Sequence, residues 1–247
     1  MVAELEAPYI LVHEKKAIFA AGWSIFGVLS TPRARSSMCW SRLQFLSKLD
    51  TVKDMEKHVA IIIPGLGIER LQLLTSHWRK YHVEPVHHRV GWHSGEHFEA
   101  SLGKILARID SFSNTGTKVS LIGCSAGGSA ALNAFLERKN TVHKIISLCG
   151  WLRVGEHRKY LERLKRISAS FVESVTLLDR RENDLSSEDR AKIMTVRPIF
   201  DELVASDVVI LDRAQNIRLP VPGHTLAIVF GLTIFSRQLI DFIRASA

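Results

Sequence analysis

At 247 residues, 46% hydrophobic and 23% charged, the chain has the make-up of a folded globular protein with enough length to bury a substantial core. That excludes disordered, fibrous and disulfide-scaffold classes. The formal net charge of +8 points to anions, whether nucleic acid, acidic lipid or an anionic substrate. Zinc-finger spacing, an RNP aromatic signature and a heptad zipper are all missing, so no nucleic-acid partner is expected.

The first 57 residues read as an N-terminal extension to a domain over 58–247. Their apolar stretch, Ala17 to Ser30, falls short of the roughly 18 residues a spanning helix needs. Lys15 and Lys16 precede it, but Glu4, Glu6 and Glu14 spoil a signal-peptide n-region and no A-x-A-like site follows. Packing structure in a cytoplasmic protein is expected, with membrane-surface attachment the lesser alternative. Residues 9–21 could pair as an edge hairpin, and 41–58 form a basic amphipathic piece. Cys39, Cys124 and Cys149 show neither a C-x-x-C pair nor metal-ligand spacing, which suits a reducing compartment.

From His58 onward, apolar runs alternate with helical periodicity. Strands are predicted at 58–64, 84–90, 118–123, 142–150 and 174–179, with a last one within 207–221. Helices are predicted at 71–81, 94–112, 126–139 and 226–245. A strongly basic segment, 151–170, interrupts the alternation, and "SSEDRAKIMTVRPIFDELVAS" (186–206) is expected to add helix. Strands alternating with helices predict an α/β fold, a central mostly parallel sheet flanked by helices.

The chemistry centres on "VSLIGCSAGGSAA" (119–131), where a buried strand runs into a cluster of small residues. Gly123-Cys124-Ser125-Ala126-Gly127 has the G-x-S-x-G spacing after a strand and before a helix. A serine lifted clear of a sheet needs a sharp, strained turn, and side chains two positions either side would collide with it. A phosphate-cradling loop is disfavoured, because no G-x-x-x-x-G-K-[S/T] or G-x-G-x-x-G spacing is present.

Three partners complete a nucleophilic site. The loop Pro64-Gly65-Leu66-Gly67 ends a buried strand and can present the Leu66 N–H beside that of Ala126. Two such donors form an oxyanion hole, worth about 3 kcal/mol each to a transition state. His224, in "LPVPGHTLA", follows a late strand and opens the final helix. An acid must orient the imidazole, and Asp184 in "DRREND" is favoured, with Asp179 and Glu182 in reserve.

A competing constellation is His93-Ser94-Gly95-Glu96-His97, an H-x-x-E-H spacing that on a helix could hold Zn²⁺. Ser94 reads as a helix N-cap with His93 outside it, and no third ligand is evident. No metal site is expected there.

With "IIIPGLG", "LIGCSAGG", "DRREND" and "PVPGHTL" in this order, the chain resembles the α/β-hydrolases over roughly residues 58–247. The resemblance implies a Ser-His-Asp mechanism on Ser125, His224 and Asp184, no cofactor, and a lid at 151–170. The expected activity is hydrolysis of an ester, thioester or related acyl bond in a small, acidic or lipid-like substrate. The alternative is a hydrolase-fold protein without catalysis that binds an acidic partner or a membrane surface. Pro64, where many relatives carry histidine, and the long interval from Asp184 to His224 depart from the pattern.

Overall fold

Strand β1, His58–Ile63, is buried at every position, as a β-branched run covered on both faces must be. In the computed structural model, which describes residues 57–67 and 71–246, it lies one place in from the edge of a six-stranded sheet. Its partners are β2 (Val83–His87), β3 (Lys118–Cys124), β4 (Val142–Leu148), β5 (Ile193–Arg197) and β6 (Gln215–Arg218). The order is β2-β1-β3-β4-β5-β6, and every pairing is parallel. All six carboxyl ends therefore share one edge, where an open α/β sheet places its ligands.

Helices cover both faces. On one lie α1 (Gln72–Thr75, continued as a 3₁₀ turn to Tyr81), α8 (His224–Leu232) and α9 (Ser236–Arg244), closing a core with Trp78, Ile122, Ile146 and Ile240. On the other, α2 (Phe98–Ser113), α3 (Gly127–Glu137) and α5 (Ala169–Arg181) pack around Ile61, Leu121, Phe135 and Val175. Shorter helices α4 (Arg158–Leu164), α6 (Ser187–Ala191) and α7 (Ser206–Val209) fill the connections. The fold is the expected one.

Two elements differ from expectation. Residues 174–179 form no strand and belong to α5. Ser168 caps that helix by accepting the Phe171 N–H, and Phe171, Ser174, Val175 and Leu178 form its buried, helically spaced face. The Ser174 hydroxyl meets that of Ser129 on α3 at 2.8 Å, and Asn133 Nδ2 donates to the Ser174 carbonyl. The strand lies instead at Ile193–Arg197, inside the stretch expected to add helix. Burial of four of its five residues between β4 and β6 outweighs the polar flanks that suggested helix. The predicted final helix is two helices, bent by 61° at their junction.

Segment 151–170 is helical in part, with a 3₁₀ turn at Gly155–His157 and then α4. Trp151 stacks on Tyr160 at 5.7 Å and meets Phe171 edge-on. The N-terminal extension and its hairpin fall, apart from Lys57, outside the described residues.

Candidate active site

Ser125 stands where β3 turns into α3, with φ at +52° in the left-handed region that serine rarely adopts. The neighbouring glycines make this possible. A Cβ on Gly123 would lie 2.2 Å from the Gly127 carbonyl oxygen, and one on Gly127 would lie 2.0 Å from that of Ile63. The G-x-S-x-G spacing is thus a backbone-against-backbone contact.

The loop after β1 seats on this turn. A Cβ on Gly65 would sit 2.5 Å from Ser125 Cβ and 3.0 Å from the Ala126 nitrogen. Trp92 braces the loop by donating its indole N–H to the Pro64 carbonyl at 3.0 Å, and the Ser168 hydroxyl in turn donates to the Trp92 carbonyl. Ala126 occupies the N-cap position of α3, among the amides that have no intrahelical acceptor. Leu66 follows Gly65 directly, and its side chain packs against the core.

His224 opens α8 and is buried, 1% exposed at its side chain. Its Nε2 lies 2.9 Å from Ser125 Oγ. Its Nδ1 faces Asp201, 2.9 Å from Oδ2 and 3.1 Å from Oδ1. The structure therefore brings Ser125 and His224 together, and the acid beside them is Asp201, a residue the sequence analysis did not single out.

Asp184 is elsewhere. It lies in a 3₁₀ turn after α5, with its side chain 60% exposed and 3.6 Å from the Arg181 guanidinium. Of the reserves, Asp179 accepts the Val154 N–H, and Glu182 takes a paired hydrogen bond from Arg153. The sequence places its acid candidates after a strand at 174–179 that the structure does not form. With 174–179 helical, the strand that precedes the acid is β5, and Asp201 follows its end closely. The signal was available: "IMTVRPIFDE" is a β-branched run, a proline and an acidic pair.

Neighbouring backbone holds Asp201 in place. The Ile199 N–H donates to Val221, and the Gly223 N–H donates to Phe200, so the acid loop runs alongside the residues entering α8. Asp201 Oδ1 accepts the N–H groups of Leu203 and Val204, each at 2.9 Å. Glu202 Oε2 accepts the His224 backbone N–H, fixing the start of α8. With its proton on Nδ1 shared with Asp201, the imidazole offers Nε2 as acceptor for the serine hydroxyl.

Cys149, at the end of β4, completes this neighbourhood. Its sulfur, an Asp201 oxygen and a His224 nitrogen all lie within 4.8 Å of one another, a set able to ligate a soft metal ion. Burial, with the Asp201 carboxylate next in weight, pushes the thiol well above its usual range, and the other two groups already bond each other. A neutral thiol is a poor ligand. Burial also drives the Cys124 thiol up to about 12, which leaves it a core residue rather than a rival nucleophile.

The H-x-x-E-H spacing does not gather. Residues 93–97 precede α2; His93 Nδ1 donates to the Ile167 carbonyl, His97 Nδ1 to Glu173, and Glu96 pairs with Lys104. These contacts tie the loop before α2 to the start of α5.

No family model and no curated protein matches this chain. Solved structures do. A hydrolase from Oleispira antarctica superposes with a TM-score of 0.58 at 12% identity, covering 76% of this chain and 92% of its own. Est1E from Butyrivibrio proteoclasticus gives 0.56 at 16% identity, with 76% and 87% covered. The monoacylglycerol lipase of Paleococcus ferrophilus gives 0.51 at 13% identity, with 76% and 94% covered. A shared architecture at such low identity is a statement about fold, and together with the parallel sheet and the turn at Ser125 it identifies the chain as having the α/β-hydrolase fold.

Proposed function

We propose that this protein is a serine hydrolase that cleaves an ester, thioester or related acyl bond through an acyl-enzyme. The observation that carries the proposal is the Ser125 hydroxyl 2.9 Å from His224 Nε2, with Asp201 bonded behind the imidazole. Such a chain lets a weakly acidic hydroxyl lose its proton as it attacks.

Ser125 Oγ bonds to the carbonyl carbon while its proton passes to His224 Nε2. The carbonyl oxygen, now anionic, accepts from the Ala126 and Leu66 N–H groups. His224 returns the proton to the departing alkoxide or thiolate as that bond breaks. Water then attacks the acyl-enzyme, giving its proton to His224, and Ser125 is restored as the acid leaves. Asp201 holds the imidazole in the required tautomer and stabilises its protonated form. Segment 151–170, whose Trp151 packs against the core beside Trp92 and Phe171, would act as the lid. Two fold neighbours support an acyl substrate: Est1E has been solved with ferulic acid bound, and the Paleococcus protein is a monoacylglycerol lipase. The free buried thiols of Cys124 and Cys149 suit a reducing, cytoplasmic location.

Covalent labelling with a fluorophosphonate, read by intact mass, tests the proposal on wild type, Ser125→Ala and His224→Ala. A single adduct on wild type alone is expected. A folded wild type that takes no label, or label persisting on Ser125→Ala, overturns it.

A further inference from the structure

The backbone that leaves β1 has few constraints of its own. Proline fixes its φ but leaves ψ open, and glycine opposes almost no rotation, so the Pro64–Gly65 peptide plane is free to turn unless something pins it. Both residues are buried, and they lie past Ile63, the last β1 residue in register with β3. A buried carbonyl beyond the sheet needs a donor. For Pro64 that donor is the Trp92 indole N–H, at 3.0 Å. Because a peptide unit is rigid, pinning the Pro64 oxygen also fixes the Gly65 nitrogen and sets the direction in which the chain reaches Leu66.

This backbone has no slack against the serine turn. A Cβ on Gly65 would stand 2.5 Å from Ser125 Cβ and 2.8 Å from the Cys124 carbonyl oxygen. The Pro64 oxygen itself lies 3.1 Å from where a Cβ on Gly127 would stand. Rotation of the plane therefore changes what faces Ser125.

Trp92 is held in turn from two helices. It is 3% exposed, stacks on Phe98 of α2 at 6.4 Å and meets Phe171 of α5 edge-on at 6.2 Å. Its carbonyl accepts the Ser168 hydroxyl at 2.6 Å, and the same hydroxyl oxygen accepts the Phe171 N–H at the start of α5. One side chain thus caps a helix and fixes the tryptophan. His224 takes its support elsewhere, from Asp201 and Glu202.

We propose that Trp92 is a positioning residue for the Pro64–Leu66 oxyanion loop, and that Ser168 acts through Trp92. Neither residue touches a reacting atom. This inference rests on the hydrolase proposal, in which the loop faces the anionic oxygen.

The test combines turnover of a p-nitrophenyl ester, inhibition by a trifluoromethyl ketone, and urea midpoints, all on the full chain. Ser125 Oγ adds to the ketone carbon, its proton passes to His224 Nε2, and the ketone oxygen becomes the anion, so Ki reads the oxyanion loop. Trp92→Phe keeps an aromatic ring and loses only the N–H donor and some volume. It should lower kcat by about 10²-fold and raise Ki by a similar factor, with KM within about twofold of wild type. The pH midpoint of kcat/KM should not move, because the bonds to His224 are intact. Ser168→Ala should lower kcat by about tenfold, and Ser168→Thr, which keeps the hydroxyl, should recover most of it. The double variant Trp92→Phe/Ser168→Ala should fall no further in kcat than Trp92→Phe alone, since the two act in series. Phe135→Leu, in the same core, should lower the urea midpoint while leaving kcat and Ki within about twofold of wild type. Trp92→Phe that turns over within about threefold of wild type, or whose loss of kcat leaves Ki unchanged, overturns the inference and spares the hydrolase proposal. A folded wild type that neither turns over the ester nor binds the ketone removes both.

Discussion

Replacing Asp201 by asparagine changes one atom in the chain of hydrogen bonds and should cost most of the activity. Oδ1 already accepts the Leu203 and Val204 N–H groups, so an asparagine oxygen will stay there. The amide NH₂ then takes the place of Oδ2, 2.9 Å from His224 Nδ1, where a donor now meets a donor. The imidazole must move its proton to Nε2 and can no longer accept one from Ser125. With the two side chains 1% and 5% exposed, water cannot substitute. The loss expected is about 10⁴-fold in kcat, or about 5.5 kcal/mol of transition-state stabilisation at 1.36 kcal/mol per decade. Asp184→Asn, at an exposed surface pair, should stay within about twofold of wild type. Initial rates on a p-nitrophenyl ester, with circular dichroism to confirm folding, decide between them. An inactive Asp184→Asn beside an active Asp201→Asn would refute the assignment.

Three further outcomes follow from the packing and from titration. Gly127→Ala would drive a methyl into the Ile63 carbonyl and should cost at least about 4 kcal/mol, while Gly103→Ala, on an open helical position of α2, should gain up to about 1 kcal/mol; urea midpoints compare them. Asp189 pairs with Lys139 at 2.8 Å and caps α6. Burial raises its carboxyl, but hydrogen bonds from Lys139 and Ser186 outweigh burial and hold it below the ordinary 3.8. A depressed folded-state pKa gives stability that is complete above the unfolded value and lost as pH falls through the folded one. The gap in urea midpoint between wild type and Asp189→Asn should therefore be full at pH 7 and shrink below about pH 4; a constant gap would contradict the assignment. Iodoacetamide at pH 8 should leave Cys124 and Cys149 of the native protein unmodified by peptide mapping, since both thiols are buried and protonated.

Ser125 and His224 are legible in the sequence because local chemistry marks them. A glycine pair that only a tight turn requires brackets one, and a Pro-Gly turn before a helix introduces the other. The acid carries no such punctuation. Its position depends on which apolar run is the strand after the basic segment, and "SVTLLD" and "KIMTVR" look alike by β-branching. What separates them is tertiary. Ser174 and Asn133 bond across two helices, and β5 fills the slot between β4 and β6. The histidine-rich stretch before α2 misleads for the opposite reason: its spacing is right for a metal site, but its helix starts only at Phe98.

An all-parallel sheet has no hairpins, so no two of its strands can pair without a long crossover. Ser125 hangs from β3, Asp201 from β5 and His224 from the segment after β6, with β4 wedged between the first two. No fragment ending before β6 holds all three side chains, however well its own strands form. The three side chains meet only when the last crossover closes, so under the proposed mechanism turnover would report the finished sheet, and Ser125 would stay without its partners in every partly folded chain.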